Sequence, residues 1–246
     1  MTKMLTRVGV PDQVLKLIPE ICQTCKVCRQ WQKPGPSNAS NIEIADAFNV
    51  QVEADLLFIH KHTIFHFIDR CTRWHAAVLL PDKTDISLVK AFETCWTSIH
   101  GPPKEFITDG ETRITQSDYF QAFLKRKGIK PVTRAVGQHA RFIERRVALI
   151  RDAVHRVEGQ LEEEGFTVPF ESILAECVFA GNAMLTVDNS TPYNAVYGRV
   201  PHILPGIDTV IHPEENEPQG TKTFAHASRL REVSVQAMIE GSARAR

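Results

Sequence analysis

The chain has 246 residues, of which 43% are hydrophobic and 24% are charged, a composition typical of one or two globular domains with a sizeable core. Lys plus Arg number 29 and Asp plus Glu number 29, so the zero net charge excludes a protein that coats a polyanion wholesale, and any nucleic-acid surface must be a local patch. We find no run of about 18 apolar residues that predicts a membrane-spanning helix, and the first residues lack the apolar segment of a secretory signal.

Composition divides the chain into four regions. Residues 1–35 begin with a short amphipathic helix and continue into a cysteine-rich stretch, and residues 36–48 form a polar linker. Residues 49–205 hold nearly all of the periodic hydrophobic signal, which predicts one α/β domain. Residues 206–246 form a polar tail with the composition of a disordered segment, in which we expect at most a short helix near 226–240.

The middle region predicts three strands in succession, followed by alternating helices and strands. The first strand alternates, so that Gln51, Glu53 and Asp55 share one face. Asp82 or Thr84 and then Ser117 are plausible N-caps of the first two helices. The predicted strands are 50–59, 63–69, 74–80, 105–108 and 130–135, and the predicted helices are 85–99, 119–126, 139–165 and 170–185.

Three carboxylates carry the candidate chemistry. Asp55 lies in the middle of the first strand, where an uncompensated charge among apolar residues is costly, and Asp109 ends a later strand in a Thr-Asp-Gly turn. Glu144 lies near the positive end of the long helix and one position off its apolar stripe, so we expect its side chain along the buried edge. Converging carboxylates repel one another unless divalent cations compensate them, and such oxygen-rich sites suit Mg²⁺ or Mn²⁺.

The residues around these acids resemble the catalytic core of retroviral and LTR-retrotransposon integrases. The resemblance spans residues 20–205 and includes the segments VEADLLF, FHFIDRCTRWHAAVLL, HGPPKEFITDGET, YFQAFLKRKGIKPVTRAVGQHARFIERRVALIRDAVHR and STPYNAVYGRVP. Between Asp109 and Glu144 lie 34 residues, one fewer than is usual in the family. The resemblance implies a ribonuclease H-like fold, a mixed five-stranded sheet flanked by helices.

The resemblance also implies an activity. Asp55, Asp109 and Glu144 would bind two Mg²⁺ or Mn²⁺ ions. The site would support 3′-end processing of element DNA and strand transfer into target DNA. These are the reactions of an integrase, which is a polynucleotidyl transferase and endonuclease. The implied partners are DNA and further copies of the chain, with no membrane, and the implied place of action is the nucleus, with the cytoplasm otherwise. Asp69, in IDRCTRW, matches a family position that is usually structural.

Basic residues surround the third acid. Between positions 123 and 151 nine basic residues accompany one acid, Glu144, which predicts a local DNA surface, although a solvated helix face would have a similar composition. Related integrases place DNA-contacting basic residues one and two turns after the Glu, and here these positions are Ala148 and Arg151. The predicted DNA-binding residues are Lys130, Arg134, Arg141, Arg145 and Arg151.

A cysteine cluster near the N-terminus is incomplete as a zinc site. Cys22-x₂-Cys25-x₂-Cys28 has zinc-ligand spacing, and by the resemblance Cys25 and Cys28 match the Cys pair of the integrase His-His-Cys-Cys module. No histidine precedes His60, so both a Zn²⁺ site with Cys22 as substitute ligand and three free thiols stay open. We therefore expect a fragment of a Pol-type polyprotein or a degraded copy. We expect the other three cysteines, Cys71, Cys95 and Cys177, to fill the core.

Two departures and two alternatives accompany the integrase hypothesis. First, the family's Asn-Gly pair before the Glu is replaced by Gln138-His139, which changes the hinge of a loop containing Gly137 that we expect to close over substrate. Second, the second motif reads Asp-Gly-Glu. One alternative is a catalytically inactive DNA-binding or assembly remnant of a decayed retrotransposon. The other is a ribonuclease H-like nuclease acting on hybrids, whose acids fall in a different order and spacing.

Overall fold

The computed structural model describes residues 11–17, 45–109, 114, 117–134, 141–186, 189–203 and 219–244. The chain divides into two compact units, Met1–Glu43 and Ile44–Arg246. In the first unit the described part forms one short helix, α1 (Asp12–Leu15). The second unit is a mixed sheet with helices packed on both faces. Among the described helices, none has the length and apolar character needed to cross a membrane.

Five strands form the sheet in the described residues, and their order is β3-β2-β1-β4-β5. The first three strands form an antiparallel meander, whereas β4 lies parallel to β1 and β5 lies parallel to β4. Parallel neighbours need crossover connections, which the intervening helices provide. The predicted mixed five-stranded sheet is confirmed. The strands are β1 (Gln51–Ile59), β2 (His62–Asp69), β3 (His75–Leu80), β4 (Glu105–Thr108) and β5 (Lys130–Thr133).

Two helices begin at side-chain caps that the sequence predicted. Thr84 Oγ1 accepts a hydrogen bond from the Ser87 N–H at 3.3 Å, and Ser117 Oγ accepts one from the Phe120 N–H at 3.0 Å. The first of these helices continues through a π-helical stretch, Glu93–Thr97, into Ser98–His100. The helices of the second unit are α2 (Asp85–Phe92), α3 (Asp118–Arg126), α4 (Arg141–Glu163), α5 (Phe170–Met184), α6 (Pro192–Tyr197) and α7 (Gln219–Arg244).

The alternation of β1 separates two buried cores. Val52 and Ala54 face the core built with α2 and α3, whereas Leu57 and Ile59 face the core built with α4, α5 and α7. The predicted stripe of α4 lies in or against buried clusters over its whole length, with Ile143, Ile150, Val154, Val157 and Leu161 each 3% exposed or less. This packing fixes which face of β1 meets α4. Asp55 and Glu53 therefore lie on the α4 side of the sheet.

The C-terminal tail differs from the prediction. Instead of a short helix near 226–240 in a polar appendage, α7 has 26 residues and packs on α4 and α5. Its side chains Leu230, Val233, Ala237 and Met238 lie in the same buried cluster as the stripe of α4. Leu230, Val233 and Ala237 are three and four residues apart and Met238 follows directly, which is the pattern of a helical apolar face. The polar residues that precede it obscured this pattern in the sequence.

Candidate active site

Two of the predicted acids lie on or directly after neighbouring parallel strands. In the β1–β4 ladder Glu53 lies opposite Ile107, so each residue of β1 faces the one 54 positions later. Carried two residues further, this register brings Asp109 beside Asp55, across the strand spacing of about 4.8 Å. Asp55 is half-buried within β1, whereas Asp109 is exposed just after β4 ends. The sheet therefore brings these two carboxylates to one edge of the site.

The third acid approaches from helix α4. Glu144 lies in the first turn of this helix, where a carboxylate is stabilised by the positive end of the helix dipole. The preceding residue, Ile143, is buried against Ile68 of β2, which holds the start of the helix over the sheet. Glu144 itself is exposed, which corrects the expectation that its side chain runs along the buried edge. Because Glu144 lies one position away from the apolar stripe of α4, its side chain faces solvent.

The three carboxylates act on one another electrostatically. The pKa of Asp55 is raised, chiefly by burial and further by the negative charges of Asp109 and Glu144, while a hydrogen bond from the Leu56 N–H at 2.7 Å opposes the rise. Within the described residues, the oxygens of these acids do not all lie within 4.8 Å of one another. Asp55 thus lies within electrostatic reach of Asp109 and Glu144, although the three acids do not form a compact cluster.

The donor set fits a hard divalent cation. All three donors are carboxylate oxygens, which Mg²⁺ and Mn²⁺ prefer, and both ions keep several water ligands. The exposure of Asp109 and Glu144 leaves space for such waters and for substrate oxygens. Burial chiefly raises the pKa of Asp55, and the negative charges of Asp109 and Glu144 raise it further, so a bound cation would favour its ionised form.

A buried ion pair that the sequence did not predict borders the acids. The Arg134 N–H donates to the Thr108 oxygen at 3.0 Å, and its guanidinium pairs with Glu53 of β1, with side-chain exposures of 11% and 4%. Burial lowers the pKa of Arg134, and the negative charge of Glu144 opposes this shift. Arg134 is therefore an internal counter-charge for the acids, which corrects its expected place on an open DNA surface. The position of Glu53 on the same strand face as Asp55 was the signal available in the sequence.

The other predicted DNA-binding residues differ in their surroundings. Arg145 and Arg151 are exposed on α4, one residue and two turns after Glu144. Lys130 is exposed and forms an ion pair with Glu105 at 2.8 Å. The side chain of Arg141 lies outside the described residues. Two exposed arginines therefore remain beside the third acid on its own helix.

Arg146 has a different role from its neighbours on α4. It is 4% exposed, and its Nη2 donates to the Arg73 carbonyl oxygen at 2.7 Å. Burial, together with the positive charge of Arg73, lowers its pKa to about 10. Gly181 of α5 makes room for it, since a Cβ there would lie 2.8 Å from Arg146 Nη1. Arg146 thus ties the first turns of α4 to the β2–β3 turn.

Asp69 is an organiser of that turn. It is fully buried, and its Oδ1 accepts from the Asn49 N–H at 2.9 Å. Its Oδ2 accepts from the N–H groups of Cys71 and Thr72 at 3.1 and 2.6 Å and from the Thr72 hydroxyl at 2.9 Å. All of its contacts hold backbone or turn, as expected for a structural role.

Several predicted features lie outside the described residues: the zinc-type cysteines Cys22, Cys25 and Cys28, the Gly110-Glu111 pair, and the loop containing Gly137, Gln138 and His139. The other cysteines are described and are free thiols. Cys177 is buried in the core as predicted, and burial raises its pKa to about 12. Cys71 and Cys95 are half-buried.

Comparison with known proteins identifies the fold. No protein-family model and no curated protein sequence matches the chain. Among solved structures, it is similar to the HTLV-2 integrase catalytic core domain in complex with magnesium, with a TM-score of 0.50 and 17% identity over 61% of this chain and 97% of that one. A structure of the simian T-cell lymphotropic virus intasome in complex with PP2A regulatory subunit B56 gamma gives a TM-score of 0.57 and 14% identity, over 89% of this chain and 80% of that one. The BIV integrase catalytic core domain gives 0.50 and 15%, over 59% and 92%.

At such low identities the likeness shows the fold alone. The chain has the ribonuclease H-like fold of retroviral integrase catalytic cores, with the strand order β3-β2-β1-β4-β5. The predicted fold class and the structural resemblance are confirmed.

Proposed function

We propose that the chain is the core of a metal-dependent polynucleotidyl transferase, an integrase that processes the 3′ ends of retroelement DNA and joins them to target DNA. The observation that carries the proposal is the electrostatic coupling of Asp55 to Asp109 and Glu144, which come from a strand, from the residue after a neighbouring strand, and from a helix. Burial chiefly raises the pKa of Asp55, and the charges of Asp109 and Glu144 add to this rise. An all-carboxylate site of this kind on an integrase-core fold supports transfer at phosphorus.

The residues divide the work by position. Asp55, on β1, and Asp109, directly after the adjacent β4, would hold cations against the sheet edge, and Glu144 would complete the donor set from helix α4. Two Mg²⁺ or Mn²⁺ ions supply, when bound, activation of an attacking oxygen and compensation of charge at phosphorus. The Glu53–Arg134 pair keeps a fourth acid neutralised beside them.

The reaction class is in-line attack by an oxygen on a phosphodiester. Water is the nucleophile in end processing and a DNA 3′-hydroxyl in strand transfer, so in each step one P–O bond forms as another breaks. No covalent bond to the protein is required. The exposed Arg145 and Arg151 would contact DNA phosphates close to the acids, as charge-assisted partners that position the substrate.

The assembly and the place of action belong to the same proposal. The HTLV-2 core domain is known in dimeric and trimeric forms, and the simian virus structure is an intasome. We infer that this chain also works as a homo-multimer on DNA. Integration into chromosomal DNA would occur in the nucleus, with the protein otherwise in the cytoplasm.

The direct test is strand transfer of a labelled short duplex end into plasmid DNA, with Mn²⁺ as the metal. We expect D109N and E144Q to lower the rate about a hundredfold or more, because bound metal contributes several kcal/mol of transition-state stabilisation and about 1.4 kcal/mol is a factor of ten. E162Q, an exposed acid on the same helix, is the matched control and should retain the wild-type rate. A wild-type chain that binds DNA with steep salt dependence yet joins no ends would overturn the proposal in favour of an inactive DNA-binding module.

A further inference from the structure

A second cluster of metal-ligand side chains lies where the β1–β2 turn meets the middle of α4. His60, in the turn, places Nε2 2.9 Å from Glu158 Oε2, and His155 places Nδ1 3.7 Å from the same oxygen. The two imidazole rings meet edge to face with centroids 5.0 Å apart. The ligand atoms of all three residues lie within 4.8 Å of one another. Among the described residues, this is the one group of three His, Cys, Asp or Glu side chains whose ligand atoms are so close together.

The spacing matches a tetrahedral metal ion. Zinc binds imidazole nitrogen and carboxylate oxygen at about 2.0–2.2 Å, so neighbouring ligand atoms of a tetrahedral site are about 3.3–3.5 Å apart. The two measured separations, 2.9 and 3.7 Å, lie on either side of this value. Small side-chain rotations would equalise them, and about half of each histidine side chain is exposed.

The local structure holds the ligands in place from two directions. His155 and Glu158 are three residues apart on α4, so they project from the same face of the helix. His60 has a left-handed backbone conformation with φ of 51°, which the tight two-residue turn between β1 and β2 imposes. Taken singly, each histidine has the character of an ordinary surface residue. The His-x-x-Glu spacing on one helix was the sequence signal, but its third member lies 95 positions away, so only the fold reveals it.

We propose that His60 Nε2, His155 Nδ1 and Glu158 Oε2 form a binding site for a zinc-class divalent ion, distinct from the acid site. Two imidazoles with one carboxylate suit Zn²⁺, whereas Mg²⁺ prefers oxygen ligands alone. Exposure leaves the fourth position to water. The bound ion joins the β1–β2 turn to α4, so it stabilises the fold at the end of β1 away from β4.

His155→Ala separates a metal site from a simple hydrogen-bonded pair. The His60–Glu158 contact at 2.9 Å does not involve His155, so H155A keeps that pair and removes one metal ligand. Ala favours the helix, and position 155 is exposed, so the fold is retained. H202A removes an exposed histidine elsewhere and is the matched control.

The experiment is calorimetric titration of the full chain with Zn²⁺, with circular dichroism as the check of folding. We expect wild type and H202A to bind one more equivalent than H155A, while other metal-binding groups of the chain contribute equally to all three proteins. We also expect Zn²⁺ at about 100 times Kd to raise the Tm of wild type about 5–10 °C above the rise seen for H155A. Equal Zn²⁺ stoichiometry and equal Tm shifts in wild type and H155A would overturn the proposal, and Mg²⁺ should produce no such difference.

Discussion

The buried carboxylate of Asp69 allows a sharp stability prediction, because both of its oxygens accept hydrogen bonds. One oxygen serves the Asn49 N–H, and the other serves three donors from Cys71 and Thr72. Replacing Asp69 with Asn keeps the shape and leaves only one acceptor oxygen. Whichever way the amide turns, its NH₂ group meets an N–H donor inside the protein.

The cost of D69N follows from these contacts. The less damaging orientation keeps the oxygen toward Thr72 and opposes the NH₂ group to the Asn49 N–H. One bond to a charged group, worth about 1.5–3 kcal/mol, disappears, and a buried donor is left unsatisfied at a further 1–3 kcal/mol or so. We therefore expect D69N to lower the free energy of unfolding by about 3–5 kcal/mol, and the Tm by about 6–20 °C for a unit of this size.

Urea denaturation followed by circular dichroism measures this destabilisation. The matched control is D82N, because Asp82 is exposed and one of its oxygens, Oδ1, accepts both from the Thr84 N–H at 2.9 Å and from the Thr84 hydroxyl at 2.6 Å. An Asn there can turn its oxygen to both donors, so the midpoint should stay at the wild-type value. Wild-type stability in D69N, or an equal destabilisation in D82N, would refute the reasoning from two occupied oxygens.

Three further predictions concern charge. Burial lowers the pKa of His66 from 6.5 to about 3, so the fold favours its neutral form, and stability present above pH 6.5 is lost as the pH falls toward 3. His66 alone should contribute about 2 kcal/mol to the stability lost in urea titrations between pH 7.5 and pH 5, and H66L should remove that part of the drop, whereas the buried His75, whose pKa burial also lowers, contributes its own part. E53Q leaves Arg134 buried without its partner and should cost about 3–5 kcal/mol, whereas R134K, which keeps a charge, should cost less by the same assay. Replacing both Arg145 and Arg151 with Gln should weaken DNA binding in fluorescence titrations and reduce the salt slope by about 0.9 for each phosphate that the variant no longer neutralises.

Local patterns predicted most of the fold. The alternation of β1 fixed which of its residues face α4, and the 4-3-4-3-4 spacing of the long helix predicted its buried stripe, because both periods follow from backbone geometry alone. The caps at Thr84 and Ser117 were predictable for the same reason. The mixed sheet then followed from the order of these elements.

Contacts between distant residues were beyond such patterns. Nine basic residues near Glu144 indicated one surface, yet the structure buries Arg146, pairs Arg134 with Glu53 and leaves Arg151 exposed. Each outcome depends on a partner from another element, and no periodicity encodes that partner. The exposure of Glu144 was predicted wrongly for a similar reason. A shift of one position along a helix decides whether a side chain lies at the edge of the buried face or in solvent.

The turn organised by Asp69 also reaches the candidate active site. The Asp69 carbonyl oxygen accepts from the Arg73 N–H at 3.0 Å, and Arg73, with φ of 64°, presents its own carbonyl oxygen to Arg146 at 2.7 Å. Arg146 lies two residues after Glu144 in the first turns of α4, so this chain of hydrogen bonds joins a turn of the sheet to the helix that carries the third acid. A buried arginine could move only at the cost of a desolvated charge, which makes the link stiff. Asp69 therefore contributes to the site by holding α4 in its position over β1, although the hydrogen bonds of its carboxylate are made within the turn and to Asn49.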